Sequence, residues 1–171
     1  MLAPLGCGMQ TGASTVMNSL KASKGSSISI FGTGAVGLAA LMAAHIVGAN
    51  PIIGVDLKPK RLEVALELGA THVIDNRHED IASRISDITG SGVEYVVNTS
   101  GDWKMHKLAI DVLNPHGTMV LLTGASGTGS LPEWRKTLGI IQGDAIPQRL
   151  IPKLISPYRA GQFPFDHRGN S

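Results

Sequence analysis

The sequence predicts an α/β fold: a doubly wound, parallel, six-stranded sheet with helices on both faces, formed by residues 1–171 as one domain. Three observations carry this. The apolar run Ile28-Ser29-Ile30-Phe31 breaks on Gly32-Thr33-Gly34-Ala35-Val36-Gly37 and passes directly into a helical pattern. Short apolar, β-branched runs then alternate with amphipathic ones, as the crossover connections of a parallel sheet require. The second such run, Pro51 to Val55, ends in Asp56, about twenty residues beyond the glycine turn.

Taken in order, Leu2 to Gly12 is glycine-rich, apolar and uncharged, a composition suited to backbone packed against something else. Ala13 to Lys21 reads as a helix ending in Lys21-Ala22-Ser23-Lys24-Gly25. After strand one, the run Ala35 to Val47 is an apolar helix. Pro59 suits a first helical turn, and Leu62, Ala65 and Leu66 trace an apolar face that stops at Gly69. Thr71 to Ile74 is a third strand, and Ile81, Ile85 and Ile88 mark a helix closed by Gly90 and Gly92. Glu94 to Asn98 is a fourth strand and Trp103 to Leu113 a helix. Asn114-Pro115-His116-Gly117 reads as a turn before a fifth strand, Thr118 to Leu122. Ser126 to Arg135 reads as a loop, Thr137 to Gly143 as a sixth strand, and Ile151 to Arg159 as a closing helix with Pro152 in its first turn. The tail 167–171 is polar and expected to be mobile.

The glycine turn suits a diphosphate. In such a turn the first glycine allows a sharp reversal, the second lets backbone approach a pyrophosphate without a Cβ in the way, and the third lets helix pack on strand. The helix N-terminus then offers free N–H groups and the positive end of its dipole to an anion. A carboxylate at Asp56 can accept hydrogen bonds from adenosine ribose hydroxyls and repel a 2′-phosphate, which favours NAD over NADP; the competing reading is a solvated acid starting the next helix. Lys58, Lys60 and Arg61 stand close by as phosphate partners. Small and polar residues recur after strands one, four (Thr99-Ser100-Gly101) and five (Thr123-Gly124-Ala125), outlining one crevice at the carboxyl ends of the strands.

Composition narrows the classes. With 43% hydrophobic and 16% charged residues and a formal net charge of +2, the chain is neither disordered nor basic enough to take nucleic acid as its main partner. One cysteine excludes an internal disulfide. The longest apolar run is too short to cross a bilayer, so no membrane partner is expected and the default location is cytoplasmic.

At this point the residues resemble the cofactor-binding half of the zinc-dependent, medium-chain alcohol dehydrogenases. The marks are Gly6-Cys7-Gly8-Met9-Gln10-Thr11-Gly12, the glycine turn, Val55-Asp56-Leu57-Lys58, and Leu68-Gly69-Ala70-Thr71-His72-Val73-Ile74-Asp75. Gly139-Ile140-Ile141-Gln142-Gly143-Asp144 and Arg159 to Asp166 look like aryl-alcohol (benzyl alcohol) dehydrogenases. The resemblance implies a Rossmann domain that binds NAD(H) through Gly32, Gly34, Ala35, Val36, Gly37, Asp56 and Thr99. It places Thr11 and Val36 at the nicotinamide and Arg61 near the adenosine ribose. It assigns Thr123, Gly124, Ala125, Ile140 and Gln142 to the carboxamide, and Cys7 to the one catalytic zinc ligand given by this half. In such enzymes zinc polarises an alcohol from which hydride passes to NAD.

The family's other zinc ligands, its proton relay and its structural-zinc cysteines lie in a GroES-like domain that nothing here resembles. The expectation is therefore a fragment that binds cofactor without turnover, has no complete catalytic set, and leaves Cys7 an empty ligand. The sixth strand offers a homodimer edge. Two other classes stand beside this reading: a stand-alone NAD-sensing module, and a methyltransferase using S-adenosylmethionine, which the pyrophosphate-type turn argues against. His45, His72, His78, His106, His116 and His167 show no metal-ligand spacing, and Trp103 and Trp134 read as packing residues.

Overall fold

The computed structural model describes residues 7–122, 139–142, 147–162 and 164. Strands β1 (Ile28–Phe31), β2 (Ile52–Asp56), β3 (His72–Asp75), β4 (Val93–Asn98), β5 (Leu113–Leu121) and β6 (Gly139–Gln142) pair in the order β3-β2-β1-β4-β5-β6. Every pairing is parallel. Strands β1 to β5 lie in continuous described chain, and β6 is described through its backbone. The order reverses between β1 and β4, the switch point where a doubly wound sheet opens a crevice beyond its strand ends.

Both faces of the sheet are covered, because alternate strand residues feed two separate cores. Ile28, Ile30, Ile52, Val97 and Val120 pack with α1 (Cys7–Ser14), α2 (Ala35–Val47), Ala65 of α3 (Pro59–Glu67) and Leu154 of α6 (Pro147–Arg159). Phe31, Ile53, Val55, Ile74, Val96 and Met119 pack with α4 (Ile81–Thr89) and α5 (Trp103–Asp111). A strand buried on both sides has no polar face, and all four residues of β1 and all five of β2 are buried.

Four expectations are corrected. Helix α1 starts at Cys7, inside the glycine-rich opening, not at Ala13, and Thr15–Ser19 follows as a π-helical turn. Its low propensity is overridden by packing: a Cβ at Gly12 would fall against the Val36 carbonyl and within 2.8 Å of the Ala40 nitrogen of α2. Residues Asn114 to Gly117 lie within β5 instead of preceding it. They are the extra residues of a bulge, since pairing jumps from Val93↔Leu113 to Tyr95↔Thr118. Helix α6 begins at Pro147, so Pro152 sits mid-helix, where it removes one backbone donor. Leu66 turns outward at 47% exposure, while Leu62 and Ala65 face the core. The expected loop Ser126 to Arg135, the residues before Cys7, and the tail 167–171 lie outside the described residues.

Candidate functional site

The glycine turn is fixed by three different constraints. Gly32 has φ +89, a conformation that side-chain-bearing residues rarely adopt, and a Cβ there would also strike the Thr99 hydroxyl. The Thr99 hydroxyl donates to the carbonyls of Phe31 (2.9 Å) and Gly32 (3.1 Å), and its N–H donates to Phe31 as well (2.9 Å). Thr99 therefore clamps the turn to the end of β4. Gly37 lies against the Gly32 carbonyl, leaving no room for a methyl group.

Gly34 differs. Its φ of −74 is open to any residue, and among the described residues the nearest heavy atom to an added Cβ is Arg61 Nη1, at 3.9 Å. Nothing described in the protein itself requires glycine there. Gly34 is the N-cap of α2, so the first N–H groups of that helix, which have no intrahelical partner, open beside it.

Asp56 ends β2 as a buried carboxylate. Its Oδ2 accepts from the Thr33 N–H (2.8 Å) and the Thr33 hydroxyl (3.1 Å), and its Oδ1 accepts from the Lys58 N–H (2.9 Å). Arg61 Nη1 stands 3.6 Å from Oδ2, with the arginine side chain half exposed. Burial alone would push this acid up. Donation from the Lys58 N–H and from both Thr33 groups, with the Arg61 charge, outweighs that and holds it below the usual range. Asp56 does not cap α3, whose N-cap is Lys58.

These groups line an open crevice of about 380 Å³ with Ala35, Val36, Val55, Leu57, Asn76, Thr99, Ser100 and Met105. The crevice thus gathers Gly32, Gly34, Ala35, Val36, Asp56, Arg61 and Thr99 from the expected set. Gly37 supports it from behind. Thr11 is in α1, next to the Gly12 that packs on Val36, and does not line the crevice as described. Ile140 and Gln142 are in β6, paired with Met119 and Leu121. Cys7 opens α1. Thr123, Gly124 and Ala125 lie outside the described residues. The sequence reading missed Thr33 as the partner of Asp56, although its place between two glycines opposite the acid is a usable signal. It also missed Leu57, Asn76 and Met105 as crevice walls, for which the sequence carries no comparable sign.

The family model described as a zinc-binding dehydrogenase matches residues 35–141, more than half of the chain. The chain belongs to the zinc-binding dehydrogenase family. It is 39% identical over 97% of its length to a geraniol dehydrogenase of Castellaniella defragrans, of which the match covers 47%. Among solved structures, an alcohol dehydrogenase zinc-binding domain protein from Burkholderia ambifaria superposes with a TM-score of 0.88 at 44% identity, over 96% of this chain and 47% of that one. Benzyl alcohol dehydrogenase from Acinetobacter calcoaceticus gives 0.87 at 39% identity, over 96% and 48%. This zinc-binding dehydrogenase chain spans about half the length of the curated relatives it matches.

Among the described residues of this dehydrogenase chain, no three His, Cys, Asp or Glu side chains come together. A catalytic zinc takes three protein ligands, so these residues do not fit a complete zinc site. His106 is a core residue: Nδ1 donates to the Asp102 carbonyl (2.8 Å), and Trp103 stacks on the ring. No helix among the described residues is long and apolar enough to cross a membrane.

Proposed function

We propose that this chain binds NAD(H) as the cofactor half of an alcohol dehydrogenase. The observation that carries the reading is Gly34: a glycine with ordinary φ and open space in front of it, at the start of a helix, needs an external reason to lack a side chain. A diphosphate approaching the N-terminus of α2 supplies that reason. NAD, when bound, accepts the hydride; the residues described here bind and orient it. The diphosphate rests on the turn Gly32 to Gly37, and Val36 backs the nicotinamide end with Thr11. Asp56 takes the adenosine ribose, and Thr123, Gly124, Ala125, Ile140 and Gln142 hold the carboxamide.

A carboxylate offers about four acceptor sites, and the protein occupies two on Oδ2 and one on Oδ1. Asp56 therefore accepts one ribose hydroxyl, on Oδ1, with Arg61 covering the other side. Its charge stays in place at neutral pH and disfavours a 2′-phosphate. Titration with NADH and NADPH tests this reading: saturable binding that favours NADH is expected, and absence of NADH binding or equal affinity for the two would refute it.

The substrate class we propose is an alcohol or its aldehyde, of aromatic or terpenoid kind, from the likeness to the benzyl alcohol and geraniol enzymes. Zinc belongs to the complete enzyme, with Cys7 giving one ligand and the rest coming from residues beyond this chain. Strand β6 lies at the sheet edge and is the proposed pairing edge of a homodimer.

A further inference from the structure

Asn76 is the first residue after β3, and its N–H donates to the Asp56 carbonyl (3.3 Å), which ties the ends of β3 and β2 together. Its side chain lines the crevice beyond Asp56 from the glycine turn, since β3 pairs with β2 on the side away from β1, and Leu57 and Met105 line the crevice too. The amide is poorly met there. Oδ1 is buried and has no hydrogen-bond partner among the described residues, while Nδ2 has only the thioether of Met105, at 3.6 Å. Turning the amide over does not help. A thioether accepts but does not donate, so one end of the amide lacks a partner either way.

Two features show what would complete it. The wall beside Asn76 is apolar and accessible, with Leu57 at 54% exposure, and Met105, which covers the amide, is an unbranched side chain that moves aside easily. If the ribose is held at Asp56 and the diphosphate at the turn, the base lies one glycosidic bond beyond the ribose, against this wall. An asparagine amide presents an acceptor and a donor side by side, matching the amino group and neighbouring ring nitrogen of adenine.

We propose that Asn76 is a specificity-determining residue for the base of the cofactor. Oδ1 accepts from the 6-amino group, and Nδ2 donates to the adjacent ring nitrogen. This rests on the dinucleotide reading given above. The test is fluorescence titration of the protein with NADH and with the reduced analogue whose purine carries hydrogen in place of the 6-amino group. The wild-type chain is expected to bind NADH about ten-fold more tightly than the analogue. Asn76→Leu should remove the difference, with NADH and the analogue binding at the same affinity. Equal affinities in the wild type, or a preference that survives in Asn76→Leu, would overturn the assignment. The wild-type comparison needs no variant, so a misfolded Asn76→Leu does not remove the test. Failure of the wild type to bind either dinucleotide would overturn the cofactor reading itself, and this one with it.

Discussion

The three glycines of the turn can be separated by substitution, because each is glycine for a different reason. In Gly34→Val the new side chain enters the crevice, where Arg61 Nη1 is the nearest described atom, 3.9 Å from the Cβ. The backbone is already in a conformation that valine accepts. Losing glycine as the N-cap costs less than about 1 kcal/mol, and restricting the unfolded chain offsets it by roughly 0.4–1 kcal/mol. The melting temperature should therefore stay within about 4 °C of wild type. Binding should not survive. Blocking even two backbone N–H bonds to a charged phosphate, at about 1.5–3 kcal/mol each, weakens affinity by roughly a hundred-fold or more. Gly37→Ala should behave in the opposite way. Its methyl group meets the Gly32 carbonyl, with the carbonyl carbon at 2.9 Å and Ile30 Cγ2 at 3.3 Å. Backbone must move, at a cost of about 1–3 kcal/mol, lowering the melting temperature by roughly 2–12 °C. Thermal unfolding and NADH titration of the two variants check this together. Wild-type affinity in Gly34→Val would place the diphosphate elsewhere, and wild-type stability in Gly37→Ala would refute the packing argument.

Three further predictions follow from hydrogen bonds and contacts in the fold. Thr33→Val deletes the hydroxyl on Asp56 Oδ2 but keeps the N–H, so it should destabilise the protein by about 1 kcal/mol; urea unfolding measures this, and Thr33→Ser should restore it. Asp75, held by the Arg77 guanidinium, titrates at about 2 in the fold against 3.8 for a free side chain. Its contribution to stability is thus complete above the higher value and lost as pH falls toward the lower one. Stability curves of wild type and Asp75→Asn should converge as pH falls through that window, and a gap that stays constant would refute the pairing. Gly12→Leu should separate α1 from α2 and cost about 3 kcal/mol or more, which thermal unfolding would detect as a lowered melting temperature.

What was legible in the sequence was local backbone demand. A turn that needs positive φ at Gly32 writes itself as glycine, and a two-sided strand such as β2 writes itself as an apolar run, Ile52 to Val55, before its terminal Asp56. The same logic made α2 readable from Ala35 to Val47. Helix α1 was not readable, because Gly8 and Gly12 signal a break when the helix they meet is left out of account. Their small size is what lets the Val36 turn of α2 come close. The bulge at 114–117 failed for a related reason: its residues carry turn chemistry, and only the partner strand β4 shows that pairing resumes around them.

Asp56 shows why a candidate site is harder to read than a fold. Its two readings, ribose acceptor and local structural acid, compete in the sequence, yet in the fold one carboxylate has room for both. Three protein donors fix the group in position and keep it charged, and that same fixation leaves one acceptor site for a ligand. Asn76 inverts the case. It follows β3 without any motif around it, and what marks it is an amide that the fold leaves incomplete. Only the tertiary structure can show such an omission, since it depends on Met105, twenty-nine residues away, supplying a sulfur where a stronger partner would be needed. Spacing in the chain thus points to groups that the backbone requires, whereas Asn76 stands out by an unmet hydrogen bond on the wall of the crevice, which the buried His106 Nε2, also unmet, does not line.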